Sequence, residues 1–297
     1  MSGLMAVFWK ELADHFNSKR FIILSILIYL ASIFTIYVAA QNIRSGITET
    51  TQFIFLRFFT ISGENQLFTF LFFLSFFIPI VGIALGFDAV NSERASGNLS
   101  RLLSQPLYRD SVINGKFLAG LITLAILVTS IVLLVAGMGL RVIGVPPNGE
   151  EILRLVAFII VSIIYGAFWM SLSVLFSVLF NRIATAALAS IALWIFLFLF
   201  VPIIAQVVAG ANGEIAGAIS RISPGVLYGE VTQVLLIPSH PTMFMISMYY
   251  TGLEPNPLPL SQSLLIAWPQ LTSLIGLTAL CFAISYIKFM REEIRST

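Results

Sequence analysis

Few side chains in this sequence could do chemistry, and their spacing excludes most of it. The only Gly-Lys pair, Gly115-Lys116, is followed by Phe117, and Asp110 stands where a phosphate-binding loop needs its first glycine. The pattern G-x-x-x-x-G-K-[ST] requires that glycine so that backbone amides can cradle phosphate oxygens, and a hydroxyl to hold magnesium. The chain is therefore not its own P-loop ATPase. No G-x-S-x-G, H-E-x-x-H or carboxylate pair within an apolar stretch occurs, so an intramembrane hydrolase has no support. Two histidines, His15 and His240, exclude a histidine-rich zinc site. One cysteine, Cys281, excludes a disulfide framework and a cysteine-based metal cluster. Met243, Met245 and Met248 follow His240. Thioethers with an imidazole suit Cu(I), but flexible apolar filler at an interface is the plainer reading. No metal site is assigned.

One polar stretch stands out, residues 88–111. Residues 88–95 continue a preceding apolar segment in polar form. Gly97 breaks the helix, and Asn98 can cap a short new one with Leu99, Leu102 and Leu103 on one face. Pro106 ends it, Tyr108 to Ser111 turns the chain, and Lys116 marks a membrane interface. A handful of residues suffices to join two helices, so this length needs a reason. Spacing alone leaves two readings level: a linker lying on the membrane surface, or a helix that docks on a partner.

The elements that must position this stretch follow from composition. Of 297 residues, 58% are hydrophobic and 10% charged, with 26 Phe, against about 25% charged in ordinary soluble domains. Thirty charges cannot skin a soluble globule of this size, so a soluble enzyme and a disordered chain are excluded. A net charge of +2 excludes an electrostatically driven nucleic-acid binder. Crossing a bilayer takes about 20 apolar residues. Charge-free windows of that length predict six spans: 21–40, 66–87, 117–140, 155–180, 183–210 and 264–287. A seventh window, 231–253, is broken by Pro238 and Pro241 and reads as short interfacial segments, with a re-entrant loop as the alternative. The first span is too long for a signal peptide. The fold class is an all-α polytopic membrane protein, a single transmembrane domain over 1–297.

Basic residues orient it. The tails, the 88–116 segment and the turn at Arg182 hold 11 of the 16 Lys and Arg; the opposite side holds Arg44, Arg57, Arg141, Arg154 and Arg221. The richer side is cytoplasmic, with both termini, in the cell membrane. Residues 1–20 predict an amphipathic interface helix. Met5, Phe8, Trp9, Leu12 and Phe16 form its apolar face, opposite Lys10, Glu11, Asp14 and a solvated His15. Its polar face could also meet a cytoplasmic partner. Asp88, Glu64 and Arg154 fall at predicted helix ends and no span carries a central charge, which argues against an ion-coupled carrier.

The run Glu93-Arg94-Ala-Ser-Gly97-Asn-Leu99-x-x-Leu102-Leu103-Ser-Gln-Pro106-x-x-Arg109, then Gly115-Lys116-Phe117, resembles the first cytoplasmic loop of ABC-2 type permeases. These are the membrane subunits of type V ATP-binding-cassette exporters. The motif covers about 25 residues, the topology the whole chain; Asn98 replaces the usual Thr but keeps capping ability. The resemblance implies a non-catalytic subunit. Its coupling helix would rest on a separate P-loop ATPase, present in two copies, which holds ATP and magnesium. Glu93 would pair with basic groups nearby, the leucines would fill an apolar pocket, and Arg94, Gly97, Pro106 and Arg109 complete the coupling loop. A second permease copy, identical or related, supplies the twofold. Residues 211–264 would be an outer gate, with a helix starting at Ser223-Pro224 and carrying Val226, Leu227, Val231, Val234 and Leu235.

In this family spans two and five line the pathway. Phe72, Phe73, Phe76, Phe77, Phe196, Phe198 and Phe200 are thus pathway candidates, with Pro224, Leu235 and Met243 at the gate. Pro79 and Pro202 should kink their helices. Gly82 and Gly86 share one face and read as close helix packing, with a pivot under the coupling helix as the alternative. The expected function is ATP-driven export or extraction of an amphiphilic or apolar cargo. The competing readings are a non-transporting membrane partner of the same ATPase, such as one serving copper-site assembly as some relatives do, and an ATP-independent channel or carrier.

Overall fold

The computed structural model describes residues 3–46, 53–60, 69–97, 108–210, 212–237 and 258–291. These form α1 (Gly3–Asn17), α2 (Lys19–Gly46), α3 (Ile54–Thr60), α4 (Phe70–Gly86), α5 (Asn91–Ala95), α6 (Arg109–Ile143), α7 (Gly149–Leu179), α8 (Ile183–Ile195), α9 (Val201–Ala209), α10 (Gly213–Ser220), α11 (Pro224–Leu236) and α12 (Leu260–Arg291). No strand occurs among the described residues. Six stretches are long and apolar enough to cross a membrane: α2, α4 with α5, α6, α7, α8 with α9, and α12. Six crossings place α1 and the close of α12 at one end of the bundle, called here the terminal end. A small core of Val7, Val90, Val112, Ile113, Val178 and Phe289 packs there.

Helix α7 is the axis of the molecule, and α4, α6, α11 and α12 all pack on it. It starts with a capping box: Asn148 Oδ1 accepts from the Glu151 amide at 2.8 Å, and Glu151 Oε2 accepts from the Asn148 amide at 2.8 Å. The spare Glu151 oxygen accepts from the Phe55 amide at 3.1 Å, which fixes α3 over this far end of the bundle. Small residues let α4 approach. A Cβ on Gly82 would lie 2.6 Å from the Gly166 carbonyl, and one on Gly86 2.6 Å from that of Met170. The packing reading of the two glycines therefore accounts for them.

Several boundaries differ from expectation. The helix of span three begins at Arg109, eight residues before Phe117, because no proline interrupts 109–116 and Lys116 is paired inside the protein. The last helix begins at Leu260 and runs through Pro269, which it tolerates although the missing amide removes one rung. Pro202 lies in the first turn of α9. Ahead of it Phe196–Phe200 form a π turn, closed by the Val201 amide on the Phe196 carbonyl. Helix α11 starts at Pro224 behind Ser223 and closes at Leu236, ahead of Pro238. Helix α10 folds back along α9, and α11 packs against α7 and α12; α10 and α11, joined by the turn at 221–223, are called here the α10–α11 hairpin.

Candidate functional site

Charge gathers where α1, α5 and α6 meet. Lys116, in the second turn of α6, has its ammonium 2.8 Å from Glu11 Oε1 and 2.9 Å from Glu93 Oε1. The three side chains are only 8%, 13% and 12% exposed. Lys10 adds contacts to Glu11 at 3.3 Å and to Glu93 at 4.0 Å. One lysine thus binds the amphipathic helix to the short helix that leads out of span two. The approach is close because α6 offers a glycine: a Cβ on Gly115 would fall 2.9 Å from Val7 Cγ1.

Further ties hold α5 in place. Val90 and Asn91 both donate their amides to Ser177 Oγ on α7, at 3.0 and 3.2 Å. Arg94 donates to Asn181 Oδ1 at 2.8 Å. Arg20 pairs with Asp88 at 2.6 Å and stacks over the Phe87 ring. A cavity of about 410 Å³ lies among these groups, walled by Lys10, Asp14, His15, Asp88, Ser92 and Ser96 among others. Burial lowers the His15 pKa, against the pull of Glu11 and Asp88, so the ring is neutral at pH 7. Burial alone would raise the Glu11 pKa, but Lys116 and Lys10 outweigh it and hold the carboxyl below its ordinary value.

Three buried polar atoms here have no partner among the described residues. Asn91 is buried with both amide atoms unsatisfied, and Glu93 Oε2 is likewise unpaired. Buried orphans of this kind are uncommon and call for an explanation. Gly97 follows at φ +69°, a left-handed conformation with no neighbour within 4 Å of a built Cβ, so the chain turns out of α5 there. Leu99, Leu102, Leu103 and Pro106 lie outside the described residues. Arg109 opens α6 beside Tyr108.

The expectation of a solvated His15 is corrected. The ring is half-buried on the cavity wall, with Nε2 3.9 Å from where a Gly120 Cβ would sit. The polar face of α1 turns inward to the cluster, while Met5, Trp9 and Phe16 stay exposed, as an interface helix requires.

The pathway candidates separate into groups. Phe72 and Phe76 pack against Phe198 at centroid distances of 6.4 and 5.7 Å, and Trp194 joins Phe76 at 5.0 Å. Phe196 and Phe200 stack on each other at 6.1 Å on the exposed side of the π turn. Pro224 and Leu235 are buried in α11. Met243, with Met245 and Met248, lies outside the described residues.

Two charged groups escaped the sequence reading. Arg154 was placed at a helix end, yet it is fully buried. It pairs with Glu150 at 2.8 Å and donates to the Leu235 carbonyl, Ser263 Oγ and the Leu258 carbonyl. It clasps α7, α11 and α12 together. Arg221 and Glu230 pair within the hairpin. Nothing in a single sequence says which distant carbonyls will gather round an arginine.

Comparison with known proteins agrees with this layout. The family model described as "ABC-2 family transporter protein" matches residues 5–294. Among curated proteins, the chain is 27% identical over 203 residues to "Probable ABC transporter permease protein NosY" of Pseudomonas aeruginosa, covering 66% of this chain and 68% of that one.

Proposed function

The chain belongs to the ABC-2 transporter family and is thus the membrane subunit of an ABC transporter; from that premise we propose that it exports or extracts an amphiphilic cargo, driven by a separate P-loop ATPase bound at the terminal end. That end is cytoplasmic in this reading: among the described residues it holds Lys10, Lys19, Arg20, Arg94, Arg109, Lys116, Arg182, Lys288 and Arg291. Residues 1–297 work as one permease unit. Leu99, Leu102 and Leu103 fill a pocket on the ATPase. Glu93, Arg94, Gly97, Pro106 and Arg109 hold the docking loop to the spans. Two ATPase copies carry ATP and magnesium, and two permease copies face each other across the aromatic surfaces of α4 and α8. Phe72, Phe76, Phe196 and Phe200 then border the cargo route, with Pro224, Leu235 and Met243 toward its exit.

The observation that carries this reading is the Lys116 cluster. A docking loop can move the spans only if it is rigidly joined to them. Here the helix entering the loop is pinned by Glu93–Lys116, Arg94–Asn181 and the Ser177 bridge. The test is co-purification of the tagged chain from its native membrane. A P-loop ATPase should accompany the wild type at one-to-one stoichiometry and be lost from Leu102→Asp/Leu103→Asp, with the spans still inserted. Retention of the ATPase by the double variant would place docking elsewhere.

A further inference from the structure

The α10–α11 hairpin carries an ion pair into the apolar part of the bundle. Arg221 Nε donates to both Glu230 oxygens, at 3.0 and 3.1 Å, and Gln270 Nε2 on α12 donates to Glu230 Oε2 at 2.8 Å. Depth follows from helix rise. Ser263 marks the level of Arg154 at the far boundary, and Gln270 lies seven residues further along α12, about 10 Å deeper. The hairpin tip goes deeper still. A Cβ on Gly225 would lie 3.4 Å from the Tyr165 hydroxyl, and Tyr165 is eleven residues beyond Arg154, about 16 Å along α7. Charges at such depth usually mark a functional site.

The pair is not self-contained. Among the described residues only Nε of Arg221 has an acceptor, and the side chain is 56% exposed. Gln270 Oε1 is buried with no donor. Beside them opens a groove of about 710 Å³, headed by Arg221, Gln270 and Ser273 and continued by Ile222, Leu277 and Leu280. From Gln270 to Leu280 it follows ten residues of helix, about 15 Å. It is polar at the far-boundary end and apolar toward the bilayer centre, the profile of a lipid.

We propose that this groove binds a zwitterionic phospholipid whose headgroup joins a phosphate to a primary ammonium. Two parallel N–H groups of a guanidinium match two phosphate oxygens. Glu230, its side chain 30% exposed beside the guanidinium, has lone pairs left for a donor, which a primary ammonium supplies and a quaternary one lacks. Arg221 and Glu230 already cancel, so a ligand of net charge would leave that charge uncompensated at depth, whereas a net-neutral headgroup does not. The site requires a lipid but no ATPase, so its failure and that of the transport reading are separable.

The test uses the full chain in detergent micelles, offered phosphatidylethanolamine, phosphatidylcholine or phosphatidylglycerol, with bound lipid counted by native mass spectrometry. Wild type should retain the ethanolamine lipid over the other two by about tenfold, the factor of one charge-assisted hydrogen bond. Arg221→Met should abolish the preference. Gly276→Phe should abolish retention by filling the groove; a Cβ there meets nothing within 4 Å, so this variant decides the matter even if Arg221→Met fails to fold. Equal retention of all three lipids, preference for phosphatidylglycerol or phosphatidylcholine, or undiminished retention by Gly276→Phe would each overturn the proposal.

Discussion

A lysine held between two carboxylates and almost closed off from water has consequences that pH exposes. Glu11 stays below its ordinary pKa of 4.5 because Lys116 overcomes its burial, and burial keeps His15 below 6.5. Both groups take up protons more readily when α1 is undocked. Docking of α1 is therefore firm at neutral pH, weakens as pH falls below 6.5, and weakens again below 4.5. Hydrogen-exchange protection of 3–17, corrected for intrinsic rates, should drop accordingly; a flat profile would contradict the cluster. Lys116→Met should remove about 3 kcal/mol at neutral pH by stranding two buried carboxylates. It should also reverse the carboxylate part of the profile. Burial then raises the Glu11 pKa with only Lys10 opposing, so protonation restores docking as pH falls. Glu93 was legible from its motif and Lys116 from its place before span three. The second carboxylate on that lysine, Glu11, 105 residues from Lys116, was not, because a helical repeat shows which residues share a face but not which face meets which.

Helices carry this information through their closest contacts, and α4 meets the backbone of α7 at two glycines. Gly82→Ala would press a methyl to 2.6 Å from the Gly166 carbonyl and 3.1 Å from the Met170 amide, backbone atoms that cannot yield without separating the helices. Such overpacking costs about 1–3 kcal/mol and should lower the thermal midpoint in detergent by about 5 °C. Gly137→Ala on α6, where a Cβ meets nothing within 4 Å, is the matched control and should leave it unchanged. Equal midpoints for the two variants would refute the close-packing account. Most of this layer was readable beforehand: six apolar windows gave six crossings, and Gly82 and Gly86 of span two pointed to close approach. Pro269 sits inside an intact helix, and the π turn ahead of Pro202 has no signal in the sequence. The α10–α11 hairpin was only half legible, since its apolar stripe shows in the sequence while its depth depends on Tyr228, which hydrogen-bonds Ser162 inside the bundle.

At the scale of the whole molecule the two ends differ in kind. The terminal end gathers interlocked acidic and basic groups around a cavity, while the far end is closed by one buried arginine and a capping box. This asymmetry matches the distribution of basic residues, and both set the direction of insertion. Single cysteines in a Cys281→Ala background test it. Tyr108→Cys, at a site 81% exposed beside the start of α6, lies at the terminal end, and Val145→Cys lies in the turn between α6 and α7 at the other. With the permease expressed without its ATPase, a membrane-impermeant maleimide added to intact cells should label Val145→Cys and spare Tyr108→Cys. Inside-out vesicles should reverse the result. The opposite pattern would put the Lys116 cluster outside the cell, where no ATP is available to a docked ATPase. Coupling through Glu93 and the leucines would then be untenable, whereas the lipid groove, which asks only for a lipid, would stand.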